Sequence, residues 1–395
     1  MPSPAIVVVA FNRPLSLQRL LTSLRQASYP SDDIPLIISI DKSEVDEVYK
    51  IANDFDWPHG QKEIVKYEER LGLRQHVLKC GDFAEEYEQI IVLEDDLFAS
   101  PYFYQFAQEG IEYYKNDESI AGISLYSYQV TESSLTSFHP LDDGYDVYFM
   151  QYPSSWGQCW TRDQWRRFRE WDRNNTLKED ALPCYMNAWK NNSWKKQFAY
   201  YLKKTNQYFV YPKVSFTTNF GDKGTNNPYD LDIYQVPLQL SKPALSLIDM
   251  DKSLSKYDIH FELEVDSVKE IIPELKAYDL EIDLFGTKDL KEIDKEYVLT
   301  SKNARNYVKC YGDRMHPMLL NIIYNIYGSK VFLCNRTDVL NDIKKGSFGT
   351  QTFLHKYIHH NKRSKVPFLD LIFSQIRFKF FNYLHFMKKT LGNSH

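Results

Sequence analysis

Glycine and proline are scarce in this chain, 15 and 17 among 395 residues, and no short period recurs. That excludes collagen-like, low-complexity and simple repeat architectures. No apolar run approaches the ~18 residues that a spanning helix needs. The first residues lack a charged leader followed by an apolar stretch, which sets the expectation of a cytoplasmic protein. The five cysteines (Cys80, Cys159, Cys184, Cys310 and Cys334) are odd in number and never in C-x-x-C spacing. Reduced core thiols fit that scatter better than a disulfide framework or a zinc site. Positive charge is not in excess, since the net charge is −5, and no nucleic-acid partner is expected. The phosphate-loop pattern G-x-x-x-x-G-K-[ST] is absent, as are G-x-G-x-x-G, H-E-x-x-H and G-x-S-x-G. P-loop enzymes, nicotinamide enzymes, zincins and α/β-hydrolases are thereby disfavoured.

Apolar residues are plentiful at 43 %, and aromatics reach 15 %, with 29 Tyr and 24 Phe. A real core can be buried, and many surfaces will be lined by rings. The length suits one large domain with an appendage.

Strand and helix signals alternate through the first half. Ala5–Phe11 is a continuous apolar run, as a strand buried on both faces should be. Pro14 opens a helix with Leu17, Leu20, Leu21 and Leu24 at helical spacing. Further strands are read at 35–40, 63–67, 89–93 and 120–125, with helices at about 44–54, 74–86 and 101–114. The pattern predicts an α/β fold with a mostly parallel sheet and helices on both faces. Residues 126–240 show few clean periods and many Trp and Tyr, as a substrate-shaping half would. Residues 241–350 read as a small α/β appendage, with strands at 278–285, 307–310 and 330–334 and a helix near 317–327. The expected division is therefore 1–240, 241–350 and a tail, 351–395.

The tail stands apart. From His355 onward there are eight Lys or Arg and one acid, Asp370. Leu369, Ile372, Phe373, Ile376, Phe380, Tyr383, Leu384, Met387 and Leu391 follow helical spacing. A basic amphipathic helix of this kind can lie on an anionic membrane surface, and membrane contact explains the cationic balance better than core packing does.

The decisive feature is Ile91-Val-Leu-Glu94-Asp95-Asp96. Ligand sites form at the C-terminal ends of parallel strands. Three adjacent carboxylates after a buried strand repel one another, and a hard divalent ion answers that charge. Asp41 ends an earlier strand and can meet a base or ribose, or cap the next helix. Arg13, just past the first strand, can hold a phosphate or orient Asp41. Arg70, Arg74 and His76 can reach a diphosphate. Trp156, Trp160, Trp189 and Trp194 can stack on sugar faces or fill a core.

Val7-Val-Val-Ala-Phe-Asn-Arg-Pro14, Ile38-Ser-Ile-Asp41, Val92-Leu-Glu-Asp-Asp-Leu97 and Ser100-Pro-Tyr-Phe103 together resemble GT-A-fold glycosyltransferases. The likeness is to the N-acetylglucosaminyltransferase I-like group and to bacterial polysaccharide-biosynthesis enzymes. Ser155-Trp-Gly-Gln-Cys-Trp160 resembles that group's acceptor-side segment. Tyr211–Ser215 and Asn219–Gly224 resemble the strand and mobile loop that close over the donor. The likeness runs from residue 1 to about 235. It implies a Rossmann-like GT-A sheet and an Mn2+ or Mg2+ ion ligated by Asp96. It also implies a nucleotide-sugar donor, first of all a UDP-sugar, contacted by Arg13, Asp41, Glu94 and Asp95. Loop 219–230, pivoting at Gly221 and Gly224, would exclude water from the donor.

Related inverting enzymes place an Asp before a Trp as general base, but Tyr185-Met-Asn-Ala-Trp189 offers only Asn187 and Ala188 there. An amide is not a base, so Glu179, Asp180 and Asp222 are the candidates. The resulting expectation is a bacterial, metal-dependent, inverting glycosyltransferase of the hexosyl or N-acetylhexosaminyl class. It would be peripheral on the inner face of the cell membrane and act on a lipid-linked oligosaccharide or surface polysaccharide. A sugar nucleotidyltransferase would want a G-x-G-x-R loop after the first strand, which Ala10-Phe-Asn-Arg13 is not. A non-catalytic, membrane-associated glycan-binding or scaffold protein retaining the fold is the other reading.

Overall fold

The structure is a computed structural model that describes residues 3–134, 136–178, 182–190, 193–224 and 233–340. These lie in one compact unit, Met1–Lys345. The basic tail, and Glu179 and Asp180, fall outside the described residues.

Strand β1 (Ala5–Ala10) has no exposed residue. Ala5, Val7 and Val9 face one core, while Ile6, Val8 and Ala10 face the other. A strand with no solvent face belongs inside a sheet covered on both sides, and β1 sits there. Helix α1 (Pro14–Arg25) follows, with Pro14 at its first turn and Leu17, Leu20, Leu21 and Leu24 buried. Then come β2 (Leu36–Ile40), α2 (Asp46–Asp54), β3 (Lys62–Lys66), α3 (Gly72–Asp82), the short α4 (Ala84–Tyr87) and β4 (Gln89–Glu94). Strands β3, β2, β1 and β4 run parallel, with Val8 opposite Ile38 on one side and Leu93 on the other. Their C-terminal ends therefore share one edge, where Arg13, Asp41 and the acidic triplet emerge.

Strand β5 (Leu97–Ala99), α5 (Phe103–Tyr114) and β6 (Ile120–Ser124) continue the chain. The segment that shows few periods in the sequence nonetheless holds β7 (Val147–Met150), β8 (Gln158–Thr161), α6 (Arg162–Asn174), α7 (Trp194–Thr205), β9 (Tyr208–Pro212) and β10 (Thr217–Asn219). Strands β7 to β9 are only four or five residues long and buried throughout, so no polar–apolar alternation marks them. With β11 (Lys256–Tyr257) they complete a nine-stranded sheet ordered β11-β7-β9-β6-β8-β4-β1-β2-β3. Strand β8 is antiparallel to both β4 and β6, a reversal that an alternating strand–helix pattern does not announce. The mixed α/β sheet is the mostly parallel architecture expected of a GT-A-type fold.

Strand β10 pairs with β5 in a separate two-stranded ribbon, which fixes Asn219 against Leu97, next to Asp96. Farther on, α8 (Val265–Ile271), β12 (Leu280–Asp283), β13 (Tyr297–Thr300), β14 (Lys309–Tyr311), α9 (Leu319–Ile323) and β15 (Val331–Asn335) follow. Their four strands form a second sheet, ordered β12-β13-β15-β14. The helix expected across 74–86 is broken at Phe83 into α3 and α4. Cys80, Cys159 and Cys334 are buried thiols, and all five cysteines are free. No helix among the described residues is long and apolar enough to cross a membrane.

Helices α3 and α6 meet at Gly81, where a Cβ would stand 2.0 Å from the Trp165 ring. Trp165 is itself pinned by its indole N–H donating to Asp82 at 2.8 Å. Gly81→Ala should therefore lower stability by about 1–3 kcal/mol, read as a fall in the urea midpoint. An unchanged midpoint would mean that the α3–α6 contact has slack it does not show here.

Candidate active site

The end of β4 is organised by Arg13. Its guanidinium donates to Asp96 Oδ2 at 2.9 Å, pairs through Nη2 with Asp95 Oδ1, and reaches the Asp222 carbonyl at 3.5 Å. The Asp95 backbone N–H donates to Val9 O at 3.1 Å, so the acids remain registered to β1 beyond the last strand pair. Burial works against the Arg13 charge, but Asp95 and Asp96 outweigh it and hold the guanidinium charged more firmly than usual. Glu94 is pushed up to about 8, first by burial and then by the Asp96 and Asp95 charges, with Arg13 and Lys195 opposing. Asp95 is pushed up to about 6 by burial, with Asp96 adding and Arg13 opposing. Among the described residues, buried Asp96 Oδ1 has no hydrogen-bond partner.

Asp41 is buried and fully engaged. It accepts from the backbone N–H groups of Lys42, Leu71 and Gly72 at 2.9, 2.8 and 3.0 Å and from Arg70 Nε at 3.1 Å. The helix it caps is α3, at whose N-terminus a carboxylate is favoured. The following helix, α2, has Val45 at its cap and no side-chain cap bond. Arg70 also lies over the Phe11 ring at 3.5 Å. Two residues expected near a diphosphate are occupied elsewhere. Arg74 binds Asp172 of α6 at 2.8 and 3.2 Å. His76 is buried against the Ser39 hydroxyl at 2.8 Å, and burial lowers it to about 4, so it is neutral near pH 7.

The loop after β10 is fastened to α1. Asp222 Oδ2 accepts from Ser16 Oγ at 2.7 Å and pairs with Arg19 Nη2, while Oδ1 accepts from Arg19 Nη1 at 3.3 Å. Arg19 lies 3.8 Å from the centre of the Phe220 ring, and the Phe220 N–H donates to Asp96 O at 3.0 Å. Gly221 has φ +63°, a backbone that glycine adopts without strain. Burial opposes ionisation of Asp222, but the Arg19 and Ser16 hydrogen bonds leave it below the usual carboxylate range. It is thus a clasp, and as a base it would first have to leave Arg19.

The tryptophans divide. Trp160 and Trp194 are core residues, whereas Trp156 and Trp189 are only partly buried. They face Lys195, which with Glu132 was not a sequence candidate. Glu132 lies 63 positions from Lys195, so no local spacing announces the pair. Arg19 and Ser16 were likewise missed, because on α1 they read as ordinary helix positions.

A family model described as the SPBC1E8.03c C-terminal domain matches residues 15–180. No curated protein matches. Among solved structures, a mannosyltransferase from Pyrobaculum calidifontis in complex with GDP-Man and Mn2+ aligns at 14 % identity and TM-score 0.31, over 46 % of this chain and 48 % of that one. TarS of S. aureus, residues 1–349 in complex with UDP, aligns at 12 % identity and TM-score 0.37, over 54 % and 59 %. The chain thus spans about half the length of these proteins.

Two outcomes follow from the geometry. A carboxyl held above its unfolded value binds its proton more tightly when folded, so the stability linked to Glu94 is fullest below about 4.5 and declines as pH rises toward 8. Glu94→Gln should flatten that decline in urea melts taken from about pH 5 to about pH 9; an identical slope in both proteins would place the titrating group elsewhere. Arg19→Ala should speed amide exchange across residues 219–224. Unchanged exchange would assign the loop's order to its backbone contact with Asp96 alone.

Proposed function

We propose that this protein is a nucleotide-sugar glycosyltransferase whose donor diphosphate binds between Arg13 and Asp96 at the end of β4. The observation that carries the reading is the firmly charged Arg13 beside a buried Asp96 oxygen without a partner, on the edge where parallel strands present ligands. Guanidinium is suited to diphosphate, since its paired N–H donors match two oxygens. An incoming diphosphate would draw Arg13 away from Asp96 and leave both oxygens of that carboxylate available.

A divalent ion fits this site in one form. Among the described residues, no group of three or more His, Cys, Asp or Glu side chains is arranged to hold a metal. Mg2+-like ions, however, are often held by one or two carboxylates together with substrate phosphates. Asp96, with Oδ1 unengaged, is the residue that would hold the ion, and Asp95 is its neighbour. When bound, Mn2+ or Mg2+ would supply positive charge for the departing nucleoside diphosphate. Arg13 would orient the diphosphate, and the Asp222–Arg19 clasp would hold residues 219–224 beside it and keep water away from the sugar. The strength of that clasp makes Asp222 a poor base, so Glu179 and Asp180 remain the candidates from the sequence.

The finer reading is an inverting hexosyl- or N-acetylhexosaminyltransferase, using a UDP-sugar first of all, in a bacterial cytoplasm. Its acceptor would be a lipid-linked oligosaccharide, reached by the basic tail on the anionic inner leaflet. The resemblance and the tail's charge pattern support it. A second reading is a non-catalytic glycan-binding protein, favoured by Arg13 already neutralising the acid pair. The two part on nucleotide binding. Calorimetry with UDP and with GDP, each with Mn2+, should give saturable heat for the natural chain, with affinity reduced at least about 100-fold in Asp96→Ala. Absence of binding by both nucleotides would remove the enzyme reading, and equal affinity in Asp96→Ala would remove the role given to Asp96.

A further inference from the structure

Strand β9 is parallel to β6, and both β6 and β4 run against β8. The start of β9 therefore lies at the sheet edge opposite the acidic triplet, and a cavity of about 500 Å3 opens there. Tyr208 of β9 and Gln151, just past β7, line it from the main sheet; Glu264, just ahead of α8, and Glu281 of β12 line it from later in the chain. A space of this size holds a small ligand.

The lining is charged and unbalanced, with five carboxyl groups against three lysines. One of the lysines, Lys288, is engaged by Asp258 at 2.6 Å and by Glu281. Glu264 accepts from the Tyr208 hydroxyl at 2.7 Å, and Glu292 stands 3.8 Å from His260 Nε2. No lysine or arginine among the described residues forms an ion pair with Glu264 or Glu292. Burial first, then the Asp258 charge, pushes Glu264 up to about 7, and burial raises Glu292 as well. Both are carboxyl groups short of a cation.

His260 is an independent sign of a ligand. It is 5 % exposed, and burial lowers it to about 3, so its ring is neutral near pH 7. Nδ1 meets the Thr287 hydroxyl at 3.5 Å, whereas Nε2, facing Glu292, has no hydrogen-bond partner among the described residues. A buried ring nitrogen left unbonded is costly, and a native protein rarely leaves one so without a use.

We infer that His260 and Glu292 bind the primary ammonium group of a small organic amine in this cavity. The inference is independent of the glycosyltransferase reading, whose site lies on the other edge. Two acceptors 3.8 Å apart admit a nitrogen between them at about 2.9 Å from each, donating to both. A zinc-type ion, with bonds of about 2.1 Å at a tetrahedral angle, would need them closer. No group of three His, Cys, Asp or Glu among the described residues is arranged to hold a metal. The excess of carboxyl groups selects a charged donor over a neutral one, because the cation answers Glu264 and Glu292 together. Lys203, which has no ion-pair partner among the described residues and is held below its usual value by burial, would take the carboxylate if the amine is an amino acid.

The test uses the full chain with 15N-labelled histidine, the His260 ring signals being assigned through His260→Gln. Methylammonium, ethanolamine, spermidine and glycine are titrated at constant ionic strength, with tetramethylammonium as a cation that has no N–H. At least one of the four amines should shift the His260 signals saturably, and tetramethylammonium should not. Glu292→Gln, at a side chain 34 % exposed and so safe for the fold, should weaken the effective amine about tenfold or more. Glycine binding more tightly than methylammonium assigns an amino acid, and Lys203→Met should then abolish the preference; equal or weaker binding assigns a simple amine. No His260 shift from any of the four leaves a cavity filled by water and overturns the site. An equal shift from tetramethylammonium, or unchanged affinity in Glu292→Gln, overturns it as well.

Discussion

Three carboxyl groups leave the sheet at one point, and a single guanidinium makes that arrangement tolerable. Without Arg13, Asp95 and Asp96 would face each other across a partly buried edge without the cation that pairs with both. Glu94, buried and offset only in part by this cation, retains its proton toward neutral pH. The contact also ties three parts of the chain together: the turn after β1, the end of β4 and the loop after β10. A ligand that competes for Arg13 therefore acts on all three at once.

That coupling explains why the site looks preassembled. The parallel register of β1 with β2 and β4 sets Arg13, Asp41 and the acids on one edge before any ligand arrives. Asp41 spends its carboxylate on the start of α3, a structural task that fixes the floor of the edge. Arg19 and Ser16 hold the loop through Asp222, beside the single backbone bond from Phe220 N–H to Asp96 O, so side chains of α1 share in its order.

The parts legible in the sequence are those whose physics is local. Ala5–Ala10 announces a doubly buried strand by its unbroken apolar run, and Pro14 with the leucines after it announces α1. The acidic triplet stands out because three adjacent carboxylates after such a strand need an explanation. Strands β7, β8 and β9 gave no such signal, being short and buried on both faces, and the antiparallel turn of β8 depends on partners distant in sequence. The same holds in the site. Arg13 was found because it follows β1 directly, but its engagement with both aspartates is a tertiary fact. Arg74 and His76 were plausible phosphate ligands by position, yet Asp172 and Ser39 claim them. Lys195 and Glu132 meet only through the fold.

In the proposed binding event, Arg13 and Asp96 part to admit a diphosphate. A crystal structure of the full chain grown with UDP or GDP and Mn2+ tests it most directly. Diphosphate density should contact the Arg13 guanidinium beside Asp96, with the Arg13–Asp96 contact opened from its present 2.9 Å. A nucleotide bound elsewhere, with that ion pair intact, would contradict it.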